Sequence, residues 1–141
     1  MTKHPDICII MPVYNESGMV GEVIKTIKKH FSNIICVNDG SRDNSAEVIQ
    51  ASGATLLNHC VNLGAGAATQ TGVDYALLDK NTKYFITIDA DGQHDIEDAK
   101  RMVDYIKKHN VDIVFGSRFL GTVNNISPLK LKFLKLAGVY S

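Results

Sequence analysis

The chain has 141 residues, 45% of them hydrophobic, and its fifteen basic residues balance fifteen acidic ones. That length and apolar content suit one α/β-sized domain with a core of its own and leave little room for a second full domain. Neutral net charge and sparse aromatic residues argue against a nucleic-acid partner.

Three cysteines, Cys8, Cys36 and Cys60, form neither a CxxC pair nor an even framework, and Cys8 and Cys36 sit inside apolar runs, so reduced buried thiols are expected. The opening MTKHPDICIIMPV has an apolar run too short for a signal peptide or a membrane span, which points to a cytoplasmic protein.

In chain order, Asp6 to Val13 reads as a buried strand, and Val20, Val23, Ile24, Ile27 and Phe31 then recur at helical spacing. Ile34 to Val37 reads as a second strand, leading through a polar turn to a short helix for which Asn44 and Glu47 offer a capping-box start. Thr55 to Leu57 is a weak third strand. Small residues from Ala65 to Thr71 continue into Val73, Ala76 and Leu77, the pattern of a helix lying close on a sheet. Tyr84 to Ile88 reads as a fourth strand. Asp95 then caps a helix whose apolar face is Ala99, Met102, Val103 and Ile106, and Asp112 to Phe115 reads as a fifth strand. Strands alternating with crossover segments predict a doubly wound α/β fold: a mainly parallel sheet with helices on both faces.

Ligands of such sheets sit beyond the carboxyl ends of the strands. The residues following the strands are Pro12 to Glu16, Asn38 to Ser41, Asp89 to Gln93 and Gly116 to Arg118, a collection of carboxylates, amides and a guanidinium. If the fourth strand stays extended, Asp89, Asp91 and Gln93 alternate onto one side and offer oxygen ligands to a hard cation, Mg2+ or Mn2+, which would bridge a diphosphate. The competing reading is a plain turn that caps the next helix. An EF-hand is excluded, because Gly92 falls too early and the twelfth position is Lys100.

Asp39, ending a buried strand, requires hydrogen bonds from either a base or ribose of a ligand or the backbone around it. Glu16 suits a ribose hydroxyl or the positive end of the first helix. Tyr14 either stacks on a base or lies half-buried. Gly64 and its small neighbours either cradle phosphate at a helix N-terminus or allow close helix packing; Thr69 in place of a third glycine, and the position after strand three, exclude a dinucleotide fingerprint. Arg118 suits a diphosphate or acceptor phosphate, or pairs with a nearby aspartate. His94 stands beside the carboxylates, and His4, His30, His59 and His109 have no companion motif.

MPVYNE at 11–16, VNDGSRDNS at 37–45, NLGAGAATQTG at 62–72, IDADGQHD at 88–95 and FGSRF at 115–119 together resemble, in order, the large inverting family 2 nucleotide-sugar glycosyltransferases with the GT-A fold, typified by enzymes acting on dolichyl and polyprenyl phosphates. The resemblance implies that Pro12, Tyr14, Glu16 and Asp39 hold the nucleoside and that Asp89, Asp91 and Gln93 bind metal and diphosphate; Gly64, at the start of its helix, is counted with the residues expected to bind the nucleotide-sugar. Arg118 would lie near the transferring phosphates, with Asp91 and Arg118 the catalytic pair. It departs from the family at Asn38, where an aspartate is usual.

The implied protein is a hexosyltransferase using a UDP- or GDP-sugar and a polyprenyl-phosphate or glycan acceptor. The expected layout is a nucleotide-sugar-binding core at 1–121 and the start of an amphipathic basic segment at 122–141, leading to a missing acceptor-binding region. Contact with the inner face of the membrane is expected through 128–136, where Lys130, Lys132 and Lys135 interleave with apolar residues. The alternative is a non-catalytic nucleotide-binding module or an inactive fragment of such an enzyme. A phosphoacceptor receiver domain fits worse, needing an acidic pair after strand one and a lysine after strand five.

Overall fold

The computed structural model describes residues 3–115. The chain divides at Ile96 into two compact units. The first holds four strands, β1 (Ile7–Val13), β2 (Asn33–Asp39), β3 (Thr55–His59) and β4 (Tyr84–Thr87), and three helices, α1 (Val20–Ile27), α2 (Ser45–Ser52) and α3 (Ala65–Ala76). The strands form one sheet in the order β3-β2-β1-β4, and all three pairings are parallel.

β1 is buried nearly end to end because both of its faces are covered, which is why it reads as an unbroken apolar run rather than an alternation. Cys8, Ile10, Ile35 and Val37 point to the side of α3, where Ala68 and Ala76 of the helix join them, together with Leu57, Val73 and Phe85. Gly72 lets α3 approach: a Cβ there would stand 2.6 Å from Cγ2 of Ile10. The expected close helix packing is thus present. Ile7, Ile9, Met11, Val13, Ile34 and Cys36 alternate to the opposite face and are equally buried. α2 contacts β2 and β3 and packs against α1, whose Val20, Ile24 and Ile27 are buried. Burial pushes the Cys8 and Cys36 thiols up to about 11 and about 12, so neither is a nucleophile near neutral pH; Cys60 is exposed.

Three expectations on local structure are corrected. Asn44 is the N-cap of α2, but its side chain makes no capping bond. Asp43 replaces it, accepting from the backbone N–H of Ser45 at 3.0 Å. β4 stops at Thr87, because Ala90 and Asp91 form a turn and Gly92 takes φ +76°, so the extended alternation of Asp89, Asp91 and Gln93 does not occur. Residues 112–115 have irregular backbone instead of a fifth strand; Ile113 and Phe115 are exposed, and among the described residues no ladder partner fixes them. An apolar run becomes a strand only when another strand receives its backbone.

The second unit contributes α4 (Ile96–His109), which begins directly after Asp95. Ala99 and Val103 are buried, Glu97 and Asp98 lie in the first turn, and Lys107, Lys108 and His109 lie in the last, the charge order that the helix dipole favours. Among the described residues no helix is long and apolar enough to cross a membrane. Arg118 and the segments 122–141 and 128–136 lie outside the described residues.

Candidate active site

The strand order reverses between β1 and β4, and a crevice opens there at the carboxyl ends. Pro12 has a local part in this. Ile10 accepts from the backbone N–H of Ile88 on the β4 side, and the next residue of β1 facing that way is Pro12, which has no N–H to extend the ladder. Beyond it the two strands part. The resulting pocket, of about 340 Å³, takes Pro12, Tyr14 and Glu16 from the loop after β1 and Asp39 from the end of β2. The loop before α3 adds Asn62 and Gly64, and the loop after β4 adds Asp89 and Asp91.

Of the expected site residues, Pro12, Tyr14, Glu16, Asp39, Gly64, Asp89 and Asp91 therefore line one pocket. Gln93 does not line it, and Arg118 lies outside the described residues. Tyr14 is exposed enough to present a ring face, and Glu16 is half-buried.

Asp39 is the most constrained of the group. Its Oδ1 accepts from the Leu63 N–H at 2.9 Å and from Nδ1 of His59 at 2.7 Å, and its Oδ2 accepts from the Gly64 N–H at 2.8 Å. Burial pushes this carboxyl up, but the three hydrogen bonds and the nearby imidazole outweigh it and hold the group below its ordinary value. Gly64 has φ +96° and ψ 158°, a conformation essentially reserved for glycine, and it spends its N–H on Asp39. The phosphate cradle expected at Gly64 is accordingly not formed by that N–H. Asn38 faces the other side of the strand, donating to Asn58 Oδ1 at 2.9 Å, so its departure from the family pattern does not touch the pocket.

A second network fastens the loop after β1 to the loop after β2. Asn15 donates its N–H to Ser41 Oγ at 3.0 Å and accepts from the Arg42 N–H at 2.8 Å, at a φ of +52° that asparagine tolerates. Glu16 donates its N–H to Ser45 Oγ at 3.0 Å, and Ser17 donates its N–H to Asp43 at 3.1 Å. Ser45 Oγ donates to Asp43 at 2.5 Å. That last bond, with the N–H groups of Ser17 and Ser45 assisting and burial opposing, lowers the Asp43 carboxyl from 3.8 to about 2.

Both aspartates are more acidic folded than unfolded, so their stabilisation is complete above the unfolded value and is lost as pH falls through the folded one. The melting temperature is expected to hold down to about pH 4 and to fall between about pH 4 and 2. Asp43→Asn should lower it near neutrality and flatten that acid limb. Melts followed by circular dichroism check this; an unchanged acid limb would remove Asp43 from the account.

Asp89 and Asp91 are the candidate cation ligands. Asp89 Oδ2 lies 3.2 Å from Nε2 of His94, and Asp91 Oδ1 accepts from the Gln93 N–H at 3.0 Å, so each carboxylate keeps a second oxygen for a ligand. The Asp91 bond is the turn weighed as the alternative to metal binding, and it leaves the other oxygen available. Among the described residues no three of His, Cys, Asp and Glu come together as a ready metal cage. Two hard carboxylate oxygens suit Mg2+ or Mn2+ when a phosphate ligand and water complete the shell. His59, Thr71, Asp43 and Ser45 were not legible as part of the site. For His59 and Thr71 the sequence offered no signal, since the β2–β3 register that sets His59 opposite Asp39 is a tertiary feature; for Asp43 and Ser45 the signal was the Asp-x-Ser spacing of a side-chain turn.

A domain of parallel strands whose switch-point crevice is lined by acidic and amide groups is a class that serves many chemistries, and the sequence decides among them. The chain belongs to glycosyl transferase family 2, whose pattern matches residues 8–132, and the parallel sheet with helices expected of the GT-A fold is present. The chain is 39% identical to an uncharacterized protein of Methanocaldococcus jannaschii, over 82% of this chain and 47% of that protein. It is 31% identical to the UDP-N-acetylglucosamine–dolichyl-phosphate N-acetylglucosaminyltransferase of Methanococcus voltae, over 79% of this chain and 51% of that enzyme. The chain thus spans about half the length of these curated relatives. Among solved structures it resembles glucosyl-3-phosphoglycerate synthase of Mycobacterium tuberculosis in complex with UDP, at 24% identity and a TM-score of 0.49, covering 60% of this chain and 33% of that one.

Proposed function

We propose that this chain forms the donor-binding part of an inverting hexosyltransferase that takes a sugar from a nucleoside diphosphate and passes it to a polyprenyl phosphate. The observation that carries this reading is the meeting of Asp39 with Asp89 and Asp91 around one pocket, together with Tyr14 and Glu16. A nucleoside end is met by Asp39 as acceptor for a base N–H, Tyr14 as a stacking face and Glu16 as acceptor for a ribose hydroxyl.

Asp89 and Asp91 hold a divalent cation, Mg2+ or Mn2+, which supplies charge neutralisation for the leaving diphosphate. Arg118 adds a guanidinium to the same phosphates. The acceptor oxygen attacks the anomeric carbon from the face opposite the departing diphosphate, so the configuration inverts. An ionised phosphate is already a nucleophile, and no residue of this chain needs to act as a strong base. The polyprenyl-phosphate acceptor is supported by the dolichyl-phosphate named for the Methanococcus voltae relative, and we place the reaction on the cytoplasmic face of the membrane, with 128–136 against the lipid.

Thermal unfolding with UDP, GDP and their sugars, with and without Mn2+, tests the reading, since a ligand of the native state alone raises the melting temperature. At a hundred-fold excess over Kd the stabilisation should be about 2.7 kcal/mol, and it should require the cation. Stabilisation without transfer of labelled sugar to polyprenyl phosphate would indicate a binding unit without catalysis. No stabilisation by any nucleotide would overturn the reading.

A further inference from the structure

The acceptor sites of the Asp39 carboxylate can be counted. An ionised carboxylate offers about four lone-pair positions, two on each oxygen. Oδ1 has both of its positions filled, by the Leu63 N–H at 2.9 Å and by Nδ1 of His59 at 2.7 Å. Oδ2 has one filled, by the Gly64 N–H at 2.8 Å. One position remains for a ligand, on Oδ2.

His59 is fixed in this arrangement. Its side chain and that of Asp39 are only 10% and 3% exposed. Its Nε2 lies 2.8 Å from Thr71 Oγ1, so β3 and α3 together set the plane of the ring. Asp39 can only accept, which places the hydrogen on Nδ1 and directs it at Oδ1. The Leu63 and Gly64 donors belong to the backbone entering α3 and are held by the same fold.

Bases differ in what they bring to a carboxylate. The pairing edge of guanine carries two adjacent donors, its ring N–H and its exocyclic amino group, which match two free carboxylate oxygens. The corresponding edge of uracil carries one, the imide N–H, between two carbonyls. Resting on the reading that this pocket holds the nucleoside, we propose that His59 is a specificity-determining residue: by closing Oδ1 of Asp39 it selects a donor with a pyrimidine imide, as in uridine diphosphate, over a guanosine diphosphate. A guanine placing one donor on Oδ2 would bring its second donor against an oxygen already saturated and against the His59 N–H. A buried donor without a partner is a large penalty, so UDP should bind about ten-fold or more tighter than GDP.

The test is calorimetric titration of the full chain with UDP and with GDP in the presence of Mn2+, repeated on His59→Leu and His59→Asn. The wild-type ratio is expected to favour UDP by about ten-fold or more. His59→Leu, which frees a position on Oδ1, should narrow that ratio mainly through tighter GDP binding. His59→Asn carries an N–H at the same branch of the side chain and should restore it. A purely packing role would weaken both nucleotides together and leave the ratio unchanged, which would overturn the proposal. So would a wild-type ratio near one, a result that needs no variant to fold. Failure of both nucleotides to bind the wild-type chain would instead remove the nucleotide-pocket reading itself, and this proposal with it.

Discussion

Asp91→Ala is expected to abolish the cation dependence of UDP binding and to weaken that binding by about ten-fold or more, because losing a metal ligand leaves the diphosphate charge without its counter-ion. The substitution also removes the acceptor for the Gln93 N–H, so a loss of affinity could come from the turn and not from the charge. Asp91→Asn separates the two, since its amide oxygen still accepts from Gln93 while the negative charge is gone. If the charge matters, Asn behaves like Ala in a titration of UDP with Mn2+, and both differ little from wild type when the cation is chelated. If Asp91→Asn binds as the wild type does with Mn2+, Asp91 is a turn residue, and the metal assignment fails.

The largest expected effect on stability belongs to Gly40→Ala. Gly40 has φ +69°, and a Cβ there would stand 2.5 Å from the backbone nitrogen of Asn62 and 2.6 Å from the carbonyl carbon of Val61. Left-handed backbone costs an alanine about 1 kcal/mol, and the overlap is with main chain that cannot rotate away, so the total should reach about 3 kcal/mol or more. Urea denaturation reads it as a lower midpoint at unchanged slope. A loss below about 1 kcal/mol would mean that the loops after β2 and β3 part easily. Because Asn62 and Leu63 adjoin the Asp39 cage, the same variant should weaken nucleotide binding even under conditions where it stays folded.

Much of this architecture was readable from residue order. β1 and β2 are buried on both faces, so their runs are apolar without alternation, and the small residues of α3 anticipate the contact of Gly72 with Ile10. Helical periodicity located α1 and α4, each with one buried face. Illegible from sequence were the features decided by tertiary pairing. His59 lies 20 residues from Asp39, and only the register of β2 with β3 brings them together. The run at 112–115 has the composition of a strand, but composition does not specify a partner. The extended reading of Asp89 to Gln93 lost to local turn chemistry, in which Asp91 accepts from Gln93 and Gly92 takes a positive φ. The pocket residues were legible because ligands of open parallel sheets sit beyond the carboxyl ends of the strands, which singles out the loops after β1, β2 and β4.

The clasp between the loops after β1 and β2 bears on how a ligand meets this surface. Asn15, Glu16 and Ser17 are tied to Ser41, Arg42, Asp43 and Ser45, and Asp39 is held by the N–H groups of Leu63 and Gly64, all through bonds internal to the chain. The side proposed to receive the nucleoside is thus braced by its own loops, which leaves little conformational freedom for binding to freeze there. Beside Asp89 and Asp91 the loop is a local turn in which Asp91 accepts from the Gln93 N–H, so the entropic toll of ordering around a ligand would fall on the proposed phosphate end.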